Sequence, residues 1–191
     1  MEEDAVGTFS SEPSLRPVDT GTAGQAREQL VMAAFAEYSG KLTSFAFALT
    51  RDRDAADDLV QETFLRLVRE AGDGREPENV GAWLFRVCAN LATSRGRRLT
   101  VARRWLSGVR SLQHEPSADL PALKREANDA LLTGLSMLPA DARAALLMAA
   151  NGFSGREIAD AIGRTEVATR AMMFRARERL RAYLAREGMR P

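Results

Sequence analysis

Residues 154–181 read SGREIADAIGRTEVATRAMMFRARERLR, and this stretch decides the architecture. Ile158, Ala159 and Ile162 give a first short helix one apolar face. Gly163 follows, a residue free to take the positive φ that ends a helix, and Thr165 can cap the next one. On that second helix Val167, Ala171, Phe174 and Leu180 predict an inward stripe, with Arg170, Arg175, Arg177, Arg179 and Arg181 largely on other faces. Two short helices meeting at a glycine elbow predict a helix-turn-helix that presents its second helix to nucleic acid. Arginine suits that task because its planar fork donates two parallel hydrogen bonds to phosphate or to a guanine edge. An isolated arginine-rich helix reads most simply as a solvated surface; the glycine-hinged helix before it selects the DNA-reading alternative.

Working outward, Leu131, Leu132, Leu135 and Leu138 precede Pro139, and Ala142, Ala145, Leu146 and Ala149 precede Asn151-Gly152. Two further helices are predicted there, packed beneath the elbow. Upstream, SGVRSLQHEPSADLPAL mixes turn formers with scattered apolar residues and predicts a flexible linker over 100–128. Earlier still, Val31, Phe35, Tyr38, Leu42, Phe45 and Leu49 recur at gaps of four and three, a helix pattern with a bend expected near Ser39-Gly40. A second helix capped by Asp52 or Asp54 is predicted to bury Ala56, Leu59, Val60, Phe64, Leu67 and Val68, and to end by Ala71-Gly72. After the loop GDGREPEN, Asn79 can cap a third helix with Val80, Trp83, Leu84, Val87 and Leu91 inward. No segment alternates with a period of two. The expectation is an all-α chain of two small helical domains joined by a flexible linker, the C-terminal one holding the helix-turn-helix. Its divisions are 1–24 as an acidic leader, 25–99, the linker 100–128, and 129–187.

The net charge of +1 over 191 residues conceals a strong segregation. Asp52, Asp54, Asp57, Asp58 and Glu62 crowd one helix, whereas Arg86, Arg95, Arg97, Arg98, Arg103, Arg104 and Arg110 occupy a stretch without an acid. Separate acidic and basic surfaces imply separate partners, and a balanced total argues against indiscriminate coating of nucleic acid. Cys88 is the only cysteine and His114 the only histidine, which excludes an intramolecular disulfide and a Cys/His zinc cage. With no phosphate-binding glycine loop and no nucleophile constellation either, the chain is expected to be no enzyme and to need no cofactor. Neither an export signal nor a membrane-spanning run is present in the sequence, so residence in the cytoplasm is expected.

In order, the chain carries an acidic helix, a loop, a Trp-bearing basic helix, a linker and a C-terminal helix-turn-helix. This organisation resembles the extracytoplasmic-function group of bacterial RNA polymerase sigma factors. DAADDLVQETFLRLVRE (54–70) is similar to the segment with which that family grips the clamp coiled coil of core RNA polymerase. NVGAWLFRVCANLATSRGRR (79–98) is similar to its helix beside the single-stranded minus-10 element. Residues 135–181 resemble its minus-35 reader, and the resemblance runs from about Gln25 to Arg186.

The resemblance implies promoter-specific initiation, with core RNA polymerase (clamp coiled coil and flap), promoter DNA and an anti-sigma factor as partners. It places core-polymerase contacts at Asp57, Asp58, Leu59, Gln61, Glu62 and Phe64, a mixed acidic and apolar set suited to a protein groove rather than to phosphate. Minus-10 contacts fall on Arg86, Asn90, Arg95, Arg97 and Arg98, cations and an amide that fit a strand with splayed bases. Minus-35 contacts fall on Arg164, Thr165, Arg170, Phe174 and Arg175. Trp83 reads either as core or as a base-stacking surface. Ser94 stands where the family usually has an acid, Met172 where it commonly has arginine and Ala171 where it often has serine, so fewer polar base contacts are expected. The competing function with the same fold is a sigma-like decoy or a helix-turn-helix repressor that starts no transcription.

Overall fold

Asp52 makes one long apolar pattern into two helices. The preceding residue, Arg51, adopts the left-handed conformation (φ 57°) and its N–H donates to the Phe47 carbonyl at 2.7 Å, closing the first helix. Asp52 Oδ1 then accepts the Ala55 N–H at 2.9 Å and caps the second. In the computed structural model, residues 21–105 and 122–189 are described, with side chains described over 21–95 and 127–189. Among the described residues there are seven helices and no strand: α1 (Thr22–Thr50), α2 (Arg53–Gly72), α3 (Val80–Trp105), α4 (Ala122–Ser136), α5 (Ala140–Ala150), α6 (Gly155–Ile162) and α7 (Glu166–Arg186). The all-α expectation holds.

Two helix boundaries differ from the sequence pattern. α1 runs through Gly40 without a break, because Ala34, Leu42, Phe45 and Ala46 bury one continuous face across that point. One exposed glycine costs a helix only about 1 kcal/mol, less than the packing on either side supplies. α3 continues to Trp105, into the stretch expected as linker. Between Gly96 and Ser107 no proline or turn former interrupts it.

Helices α1–α3 pack around Leu42, Phe45, Leu67, Leu84, Phe85 and Cys88, all fully buried, with the Phe45 and Phe85 ring centroids 4.8 Å apart. Helices α4–α7 close a smaller cluster of Leu135, Leu138, Ala142 and Ala176. Gly134 allows α4 to approach α7, since a Cβ there would lie 2.6 Å from Leu180 Cδ1.

The two groups are not separate bodies. Ala144, Ala145, Met148, Ile158 and Ala161 belong to the same buried cluster as α1–α3, and the Phe153 ring packs against that of Phe85 at a tilt of 57°, centroids 4.8 Å apart. Burying a side chain of the size of Ile158 or Met148 contributes about 1.5–3 kcal/mol, more than a rim hydrogen bond at about 1 kcal/mol. Apolar contact therefore does most of the joining. At its edge Arg143 Nη1 donates to the Leu49 carbonyl at the end of α1 (2.7 Å), and its Nη2 reaches the Ser136 and Leu138 carbonyls at 3.2 and 3.3 Å. Burial, and secondarily the charge of Arg51, lowers the Arg143 pKa from its ordinary value. Arg51 Nη1 itself donates to Thr133 Oγ1 at 3.0 Å.

Of the predicted stripe on α7 Leu180 packs inward, against the cluster of Leu135, Leu138 and Ala142, but the other three residues do not. Thr169, Met173 and Ala176 are buried, whereas Val167 is 76% exposed, Phe174 64% exposed, and Ala171 is exposed as well. Both sets satisfy the spacing of three and four, since the helix is apolar on two sides. Contact with α4, α5 and α6 selects the face bearing Met173 and Ala176.

Candidate nucleic-acid interface

The elbow is built by local chemistry. Ser154 and Glu157 form a capping box at the start of α6: Ser154 Oγ accepts the Glu157 N–H, and the Glu157 carboxylate accepts the Ser154 N–H at 2.8 Å. Those bonds from Ser154 hold the Glu157 carboxyl below the usual carboxylate range. Gly163 ends α6 at φ 66°, and Thr165 Oγ1 accepts the Ala168 N–H to begin α7. Because Ile158, Ala159 and Ala161 are buried, the elbow has one fixed orientation and α7 shows solvent the side opposite Met173.

That outer side carries Val167, Arg170, Ala171 and Phe174, with Arg175 flanking it. Arg170 Nη2 is held 2.9 Å from Glu166 Oε1 and Arg164 Nη2 2.9 Å from Asp141 Oδ2, both as exposed pairs. Exposed ion pairs are worth about 1 kcal/mol or less, so either guanidinium can exchange its partner for a phosphate or base edge at small cost. Arg164 and Arg175 line one shallow groove between α5 and α7, joined by Arg179. Thr165 sits at the head of the helix, its hydroxyl engaged in the cap. The five residues predicted for the minus-35 element thus fall on the start and outer flank of one helix.

On α2, Asp57, Asp58 and Gln61 are exposed and Glu62 is half-buried. Leu59 and Phe64, predicted as contacts on this helix, are instead core residues at 4% and 7% exposure. Their place is structural, since they point with Ala56 and Leu67 toward α1 and α3. Val68, predicted as buried, is exposed, as is Leu65. On α1, Met32 and Phe35 are exposed too, and the Phe35 ring lies 5.1 Å from that of Phe64. These four apolar residues were missed as surface because α1 and α2 each have more apolar positions than one face of a helix can bury, and the pattern does not say which remain outside.

The basic start of α3 is set by Asn79, whose Oδ1 accepts the Ala82 N–H at 2.9 Å. Arg86 and Trp83 are half-buried and line a hollow with Pro77, Glu78, Asn79 and Ala82. Trp83 also packs, partly buried, against the main core, as the first of its two readings expects. Asn90 and Arg95 lie farther along α3 beside a second hollow, which Ser94 shares with Asp58, Glu62 and Arg66 of α2. Arg86 and the Asn90–Arg95 pair are therefore not brought to one pocket. Arg97 and Arg98 lie outside the residues whose side chains are described.

Among the described residues no group of His, Cys, Asp and Glu is arranged to hold a metal, and no helix is long and apolar enough to cross a membrane. Burial pushes the Cys88 thiol up to about 12.

Comparison with known proteins places these elements. The family model described as Sigma-70 region 2 matches residues 34–108, and that described as Sigma-70, region 4 matches residues 128–180. The ECF RNA polymerase sigma factor EcfG of Rhodopseudomonas palustris is 35% identical over 150 residues, covering 77% of this chain and 81% of its own. The ECF RNA polymerase sigma factor SigL of Mycobacterium tuberculosis is 30% identical over 173 residues, covering 87% and 96%. Among solved structures, the sigma factor RpoE in complex with the anti-sigma factor NepR from Bartonella quintana superposes with a TM-score of 0.65 at 27% identity, over 84% of this chain and 97% of that one.

Proposed function

Because this chain belongs to the extracytoplasmic-function group of RNA polymerase sigma factors, we propose that α2 docks on the clamp coiled coil of core RNA polymerase while the start of α3 and the outer face of α7 read one promoter. Asp57, Asp58, Gln61 and Glu62 provide the polar part of the docking ridge, and Leu65 and Val68 beside them supply apolar area. Such a combination suits a protein groove, where a few desolvated side chains carry most of the affinity.

α7 lies in the major groove of the minus-35 duplex, with Arg170 and Arg175 at base edges and Arg164 and Thr165 at the backbone. A good bidentate base contact discriminates by about 1–3 kcal/mol, whereas phosphate contacts set register and salt dependence. At the minus-10 element, Trp83 and Asn79 border a space for an unstacked base, and Arg86, Asn90 and Arg95 face the flanking phosphates. Strand opening follows from holding bases out of the stack. Bond formation belongs to the polymerase, so the chain performs no covalent chemistry itself, and it works where that enzyme is, in the cytoplasm.

The exposure of the arginine-bearing outer face of α7 among the described residues is the observation that carries this reading. An anti-sigma protein is the expected antagonist, as in the complex of the related RpoE with NepR. Run-off transcription with core polymerase, with and without the chain, tests the proposal. Start sites that appear only with the chain support it, and a start pattern identical to that of core polymerase alone rejects it.

A further inference from the structure

The outer face of α7 carries a single apolar row. Val167 is 76% exposed and Phe174 64% exposed, and Ala171 between them is exposed as well. Spaced by four and three residues, the three side chains stand one above another along the helix. Arg170 and Arg175 lie about 60° and about 80° to either side of Val167, at 3.6 residues per turn. A cation therefore brackets the row on each flank, and both arginines are exposed. No acidic residue occurs from Val167 to Arg177. The row stops at Glu178, which is ion-paired with Arg181.

A row one residue wide between two cations fits the major groove, whose floor is base edges and whose rims are phosphates. On that floor the apolar group is the C5-methyl of thymine, which alanine and phenylalanine side chains contact and which cytosine lacks. From Val167 to Phe174 the helix axis advances about 10 Å, close to the rise of three base pairs. Position agrees as well. Val167 belongs to the first turn of α7, and a helix-turn-helix reads bases with the first residues of its second helix. A protein partner would ask for a broader apolar patch, with charge kept away from its centre.

We propose that Val167, Ala171 and Phe174 select the upstream element by its thymine methyl groups, at two or more positions within three consecutive base pairs. The inference deepens the assignment of α7 to the minus-35 duplex made above and rests on it. Val167 and Ala171 offer no hydrogen-bonding side chain, so their share of specificity comes from apolar contact, while Arg170 and Arg175 supply the polar share. The selected feature is a methyl group and not a hydrogen-bonding edge. Its removal from one base costs about 4-fold in affinity.

The test uses holoenzyme reconstituted from the full chain and core polymerase, which selects an upstream motif from double-stranded DNA of random sequence. The recovered duplex is then resynthesised with deoxyuridine in place of thymidine in that motif alone, which removes the methyl groups and leaves the hydrogen-bonding edges intact. The uracil duplex is expected to bind about 10-fold or more weakly when two methyl groups are lost. Val167→Ala with Phe174→Ala, both at exposed positions where alanine favours helix, should largely erase the gap between the two duplexes. That variant should still prefer both to a scrambled duplex and keep its association with core polymerase. A recovered motif without thymine, equal binding of the thymine and uracil duplexes by the unaltered chain, or a gap undiminished in the double variant overturns the proposal. Loss of core association in the double variant also overturns it, by giving the row to polymerase. The α7 assignment is judged separately: Arg170→Ala should lose preference for the recovered duplex over the scrambled one whether or not the methyl groups matter.

Discussion

Asp58 and Arg95 are ion-paired, Oδ2 to Nη1 at 3.1 Å, which couples the acidic helix α2 to the basic helix α3. Both side chains face solvent, so the pair adds about 1 kcal/mol or less to stability and can be given up when either partner molecule arrives. The ridge proposed for polymerase and the helix proposed for DNA therefore share one charge contact. Occupation of Asp58 by a protein groove would release Arg95 toward a phosphate.

Asp58→Ala combined with Glu62→Ala is expected to weaken capture by core polymerase about tenfold or more, equivalent to about 1.4 kcal/mol. Neither residue is in the apolar core, so the thermal midpoint of the isolated chain should move by no more than about 4 °C. Binding measured by anisotropy or surface capture checks the first, and a melting curve the second. Retained affinity would remove α2 from the docking surface.

Arg170→Ala and Arg175→Ala should each cost about 1–3 kcal/mol in discrimination between a minus-35 duplex and its scrambled counterpart, with core association unchanged. Arg177→Ala, turned toward the next flank of α7, should lower binding to both duplexes alike and reduce the salt slope. Competition titrations at two salt concentrations separate the cases. Equal losses on specific and scrambled DNA in all three variants would reassign α7 to backbone contact alone.

Much of the fold was legible where a side chain acts on its own backbone. Asp52, Asn79 and Thr165 cap the helices their residue types predict, and Gly163 takes the positive φ that its lack of a Cβ permits. What periodicity could not supply is the choice between two apolar faces of one helix. Val167 and Phe174 match the stripe as well as Met173 and Ala176 do, and only the surrounding helices distinguish them. For the same reason Ile158 reads as buried, but nothing in its spacing says that it joins the cluster of α1–α3, or that Phe153 beside it meets Phe85 of the other domain. On the candidate surfaces, charged residues were found readily, whereas Leu65, Val68, Met32 and Phe35 were hidden among core-like letters.

Arg143→Met keeps the length of the side chain and removes the donors to the Leu49, Ser136 and Leu138 carbonyls. Hydrogen bonds from a charged group are worth about 1.5–3 kcal/mol in total stability when lost from a partly buried site. Urea unfolding should show a loss of about 2 kcal/mol. No change would mean that water replaces the guanidinium at all three carbonyls.

Cys88 titrates near 12 in the folded chain, against about 8.5 for an unperturbed thiol. Above the unfolded value the unfolded chain releases this proton while the native chain keeps it. The unfolded state then binds fewer protons, so the contribution of Cys88 falls as pH rises from about 9 toward 12, with a limiting slope of about 1.4 kcal/mol per pH unit. Below pH 8 the contribution is constant. Chemical denaturation at several pH values, compared with Cys88→Ala, isolates this effect, and parallel curves would refute it. In the same window native chain should resist thiol reagents that label it at once in denaturant.

Sequencing the transcripts made by reconstituted holoenzyme on fragmented genomic DNA tests most directly whether this chain tells polymerase where to begin. New 5′ ends are predicted that share one upstream motif near −35 and another near −10, that vanish with Asp58→Ala/Glu62→Ala, and that lose dependence on the upstream motif with Arg170→Ala. A set of 5′ ends indistinguishable from those of core polymerase alone would contradict it.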